Sequence, residues 1–145
     1  MILRRGRAAL VLLLTILPGA CSTQNAAKLP DPQTALQAIP AADPAQYDHI
    51  HDMRKWRNPY LIVRTDGVAL YDSADSAEII LTTDELLPAL AGLPASKWPY
   101  GRVVAVSENS AKASEQDGVA TRRYKGIVGG MLEDAHVAVK WVPSS

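Results

Sequence analysis

Arg102-Val103-Val104-Ala105-Val106 is the run whose reading decides the fold. After its arginine it is apolar at every position, without alternation, which is the pattern of a central strand covered on both faces. Behind it, Tyr124, Ile127, Val128, Met131, Leu132 and Ala135 recur at i, i+3, i+4, i+7, i+8 and i+11 and predict an amphipathic helix. Residues 136–142 then alternate Val137, Val139 and Trp141 with His136, Ala138 and Lys140, which reads as a last strand. Ahead of the run, Thr82 and Glu85 make a capping box for a helix carrying Leu86, Leu87, Leu90 and Leu93. Gly92 closes that helix, and Pro88 inside it predicts a short or bent element. Further upstream, residues 60–64 and 68–71 flank the hairpin signal Asp66-Gly67. A polar loop and a short strand at 78–81 follow. The order β-β-α-β-α-β, with right-handed crossovers, puts two helices on one face of a mixed sheet. The expected class is α+β, a small two-layer sandwich.

The start of the chain carries a different signal. Arg4, Arg5 and Arg7 precede an apolar run at 8–17, and Pro18-Gly19-Ala20-Cys21 follows. Charge, then a short apolar stretch, then small residues is the order of a secretory signal peptide, here residues 1–20. The run is about half the ~20 residues a membrane-spanning helix needs. Cys21 is the only cysteine, and its neighbourhood resembles a bacterial lipobox, with Pro18 where leucine is usual. The resemblance implies lipidation of Cys21, and Ser22 after it implies the outer membrane, facing the periplasm. Acyl chains on one cysteine anchor a protein stably, and they dispose of an unpaired thiol in an oxidising compartment.

Loss of three arginines turns 15 basic and 15 acidic residues into 12 against 15, a net charge of −3. A mildly acidic protein has no electrostatic reason to bind nucleic acid. With no second cysteine, intrachain disulfides are excluded, and no cofactor is implied. Residues 21–43, rich in Ala, Gln and Thr and interrupted by Pro30, Pro32 and Pro40, read as a lipidated cysteine and flexible tether. Residues 44–58 read as a short helix, N-capped by Asp43 with Pro44 at its first position and stopped by Asn58-Pro59. Residues 59–145 form the α+β domain.

The stretches YLIVRTDGVAL (60–70), TTDELLPALAGL (82–93), GRVVAVSEN (101–109) and YKGIVGGMLEDAHVAVKWV (124–142) together resemble the periplasmic domain of the ExbD/TolR biopolymer-transport family. The resemblance lies in element order over about 80 residues, and it implies this fold and a dimer-prone binding role. Members of that family carry a membrane-spanning helix with a proton-carrying aspartate. The apolar run here contains no acid, so proton coupling is not implied.

Candidate chemistry is sparse. His49 and His51, followed by Asp52, offer two imidazoles and a carboxylate, a donor set zinc accepts. A helix over 44–56 would turn the two histidines about 200° apart and oppose joint ligation. Asp66, Asp72, Asp75 and Glu78 cluster in the hairpin and its loop, where turn chemistry explains them. Ser107, at the end of the central strand, and His136 are the components of a serine nucleophile and base. Among aromatics, Trp56, Trp98, Trp141, Tyr60 and Tyr100 divide between filling a core that has no phenylalanine and anchoring a partner. Trp98 and Tyr100, in the loop before the central strand, are the candidate contacts. Gly126 and Gly130 leave a bare outward patch on the last helix. These features describe a periplasmic lipoprotein that binds an envelope protein or a second copy of itself. The alternative is a small metal-dependent or hydrolytic enzyme using His49 and His51, or His136.

Overall fold

In a computed structural model, residues 28–72, 75–109 and 114–143 are described. The signal segment, Cys21 and Ser22 lie outside them. Five strands, β1 Tyr60–Val63, β2 Val68–Asp72, β3 Ala77–Leu81, β4 Val103–Glu108 and β5 Ala138–Trp141, form one mixed sheet in the order β3-β2-β1-β4-β5. β1 pairs antiparallel with β2 and β2 with β3, whereas β4 runs parallel to both β1 and β5. Four helices accompany them: α1 Pro32–Gln37, α2 Pro44–Tyr47, α3 Thr83–Ala91 and α4 Glu115–Asp134. The architecture is α+β.

Alternation along the strands sorts the sheet into two faces. Leu61, Val63, Val68, Leu70, Val104 and Val106 point to the α3–α4 side and join Leu86, Leu90, Val128 and Leu132 in the main core. Each fully buried leucine there contributes roughly 2–3 kcal/mol. On the other face, Val103 and Ala105 are covered by Tyr47, Ile50 and Trp56, which arrive from the segment before β1. The apolar run that opened the reading is thus buried from Val103 to Val106, with a cover on each side.

Three local expectations are corrected. First, the flexible tether does not extend to residue 43. Asp31 caps α1 through the Thr34 N–H, and Leu36 is completely buried in the main core. The strap that follows is tied to β4. The Arg102 N–H donates to the Pro40 carbonyl at 2.8 Å, and Ala41 bridges Arg102 in parallel. A single leucine is too little to mark a core helix in sequence, because only its distant neighbours make it one.

Second, residues 44–58 are not one helix. α2 is a single turn, and a 3-10 turn, Met53–Lys55, capped by Asp52, follows after an interruption. The Lys140 ammonium donates to the carbonyls of Tyr47 and Asp48, both at 3.1 Å, and satisfies the end of α2 that a longer helix would have used internally. Third, α4 starts earlier than its apolar repeat. Ser114 and Asp117 form a reciprocal capping box, so the helix begins at Glu115, well ahead of Tyr124.

Candidate functional site

His49 and His51 both lie exposed in the irregular stretch between α2 and the 3-10 turn, alongside Ile50, Asp52 and Lys55. Asp52 is already engaged. It accepts two hydrogen bonds from the Arg54 guanidinium, each 3.0 Å, and these hold its carboxyl below the usual value. Among the described residues, no three His, Cys, Asp or Glu side chains group closely enough for a metal ion.

Three members of the acidic cluster, Asp66, Asp72 and Glu78, are shared out among cations. Arg64 meets Glu78 at 2.6 Å and Asp66 at 3.7 Å, while Lys97 meets Asp72 at 3.3 Å. Ser107 is buried and bonded to the Tyr60 hydroxyl at 2.8 Å. His136 precedes β5, whose Ala138 is level with Val103 at the opposite end of β4 from Ser107. Four residues of strand separate those levels by roughly 13 Å, so the pair does not meet.

His136 has another role. At φ +56° it ends α4 in the left-handed region, with its N–H on the Glu133 carbonyl and the Val137 N–H on Leu132, both 2.8 Å. That is a Schellman cap with histidine where glycine is usual.

The aromatic loop is internal. Trp98 is buried in the main core, and Tyr100 is tilted against Trp56 with ring centres 5.3 Å apart. The Tyr100 hydroxyl donates to the Lys55 carbonyl. Asn58, read only as a helix stop, is a buried clip for this loop. Its amide donates to the carbonyls of Gly101 and Val103, both 2.7 Å, and its oxygen accepts from the Tyr100 N–H at 3.0 Å. Arg102 performs a similar task at the surface, donating to carbonyls of His136 at 2.6 Å and Ile39 at 3.2 Å. Both residues satisfy backbone groups that no ladder reaches, a role with no local sequence signature.

Trp98 and Tyr100 therefore face inward rather than toward a partner. Trp141 does the reverse. It is 46% exposed at the edge of the sheet, beside Gly129 and with the Lys125 ammonium 4.8 Å from its ring centre. Gly126 and Gly130 lie on the outside of α4, with open space where a Cβ would stand.

No family model matches this chain. No curated protein and no solved structure matches it either.

What remains is surface rather than cleft. At the other edge of the sheet, β3 exposes every residue from Ala77 to Ile80, with Ile79 at 55% and Ile80 at 49%. Their side chains project to opposite faces. Ile79 is level with Leu70 on the helix side and Ile80 with Ala69 on the open side. Next to this edge is a hollow of about 80 Å³ lined by Leu70, Ile79, Leu93, Arg57 and Lys97 among others. The sequence contained the signal for this site in Ile79-Ile80. Its meaning depended on the strand order, since the same residues in a central strand would be core.

Proposed function

We propose that this chain is a lipid-anchored envelope protein whose domain acts by binding, accepting an extended segment of a partner protein along β3. The observation that carries the reading is the exposed β3 edge, which no other strand among the described residues pairs. Natural sheet edges are usually blunted by proline, lysine, a bulge or a covering loop. β3 has no proline or lysine, and its one charge, Glu78, is neutralised by Arg64 of the same chain. Two exposed isoleucines on successive positions offer apolar contact on both faces of an added strand, the arrangement that strand addition uses. The hollow beside Ile79 can take one apolar side chain of the incoming segment, with the Arg57 and Lys97 cations at its rim. Location at a membrane rests on the signal and Cys21. Among the described residues, no helix is long and apolar enough to cross a bilayer.

A photo-crosslinking amino acid at Ile80, in the full chain expressed in its own host, tests the binding reading. The expected product is one defined envelope protein, lost when Ile79 is changed to lysine and retained when the crosslinker-bearing chain carries Val119→Lys on the far helix. Equal labelling from Ile80 and from Val119 refutes a β3 site. Lipidation is tested separately by Cys21→Ala, with intact mass and membrane fractionation. A wild-type mass showing cleavage without acyl chains overturns the anchor.

A further inference from the structure

We propose that two copies of this chain associate about a twofold axis through the outer face of α4, with Trp141 at the margin of the contact. This surface is distinct from the β3 edge and independent of what that edge binds. Among the described residues β5 is hydrogen-bonded on one side only, to β4, so the described sheet ends here beneath α4. Trp141, the last residue of β5, is half exposed at that margin, beside Gly129 and Lys125 of α4.

What chooses the occupant is the charge pattern of α4. Its middle carries Arg122 and Arg123, its end carries Glu133 and Asp134, and all four are exposed. Among the described residues none of the four forms an ion pair. In an antiparallel pair of identical helices crossing at Val128, position i lies level with position 256 − i of the other copy. Arg122 and Arg123 then lie level with the second copy's Asp134 and Glu133, and Gly126 level with its Gly130. By the 100° advance per residue, Arg122, Arg123, Gly126, Gly130, Glu133 and Asp134 span about 120° of the helix, so they share one face, with Arg122 on the flank of the second copy's Glu133 and Arg123 on that of its Asp134. Each arginine therefore meets an acid, twice over by symmetry, and the open space at Gly126 and Gly130 lets two helices approach to the usual 8–10 Å without interlocking side chains. A surface complementary to its own copy under a twofold rotation is what an isologous dimer requires. A peptide or unrelated protein has no reason to match that spacing.

The test is charge reversal with rescue, in the full-length chain, read by sedimentation and by co-purification of two differently tagged copies. Wild type is expected to be a dimer. Arg122→Glu with Arg123→Glu should weaken self-association at least tenfold, and so should Glu133→Arg with Asp134→Arg. Mixing these two double variants should restore a dimer that contains one of each, and the quadruple variant should again pair with itself. Circular dichroism of each double variant confirms that it is folded, and the mixture recovers only if the reversed charges face each other. A monomeric wild type overturns the proposal. So does a dimer indifferent to the reversals, or double variants that stay monomeric when mixed.

Discussion

Replacing Gly101 by alanine should destabilise the domain by about 3.5–4.5 kcal/mol, a large share of a small domain's stability. Gly101 has φ +76°, a region that costs a side-chain-bearing residue roughly 1–2 kcal/mol. The added Cβ would also stand 2.5 Å from the Ala41 carbonyl oxygen and 2.9 Å from the Pro40 oxygen. Both are backbone atoms, so the strap must withdraw. Withdrawal breaks the 2.8 Å bond from the Arg102 N–H to Pro40 and the guanidinium bond to Ile39. These are worth about 1 and about 1.5 kcal/mol net. Urea unfolding followed by the fluorescence of buried Trp56 and Trp98 reads the sum. At a slope of roughly 1.5 kcal/mol/M, the midpoint should fall by about 2.3–3 M. Gly118→Ala is the control: its Cβ meets only the Arg122 side chain, at 3.6 Å, in ordinary helix. It should stabilise by about 0.5–1 kcal/mol. A Gly101→Ala loss below about 1 kcal/mol would refute the reasoning, because the strap would then be yielding freely.

Three other outcomes follow from the same geometry. Asn58→Leu leaves two buried carbonyls and one N–H without their partner and should cost about 2–4 kcal/mol in thermal or urea denaturation. His136→Gly removes the left-handed penalty at the end of α4 and should stabilise by roughly 1 kcal/mol, whereas a catalytic role would show as lost activity at unchanged stability. The Glu85 and Asp117 carboxyls are held below their ordinary values, first by the Thr82 N–H for Glu85 and by the Ser114 hydroxyl for Asp117. Their folded pKa values being lowered, the unfolded chain binds more protons in acid. Their stabilisation is complete above the unfolded values and is lost as pH falls through the folded ones. Denaturation midpoints measured from pH 6 to pH 3 should decline, and Glu85→Gln should flatten that decline.

The elements of the sheet-and-helix layer were legible because each has a local cause. The Asp66-Gly67 turn, the Thr82–Glu85 box and the apolar repeat of α4 act within a few residues of themselves. The burial of Val103 to Val106 on both sides followed from the absence of alternation. What was not legible depends on distant partners. Leu36 becomes core only because α1 lies against α3, and Gly101 is needed only because Ala41 passes over it. The strand order needed the crossover from β3 to β4 to pass two strands, a distance that no residue pattern encodes. For the same reason the candidate site moved. Trp98 and Tyr100 looked available because their loop is polar and short, yet Asn58 and Trp56, some 40 residues earlier, close it. Nothing in the short strand at 78–81 or at Trp141 says which side chains stay bare until the two edges of the sheet are known.

The strap across β4 also has a mechanical meaning. Tension applied from the amino-terminal side reaches α1 first, then the Arg102 bonds to Ile39 and Pro40 and the Ala41–Arg102 bridge, and the sheet only afterwards. Those contacts lie in series, so they fail one at a time, as tape peels, whereas the paired strands behind them resist as a block. Residues 32–41 can unreel by up to ~35 Å when drawn straight before the sheet carries load. The segment is thus a slack line with a weak latch, and a steady pull would lengthen the chain while leaving both sheet edges in shape.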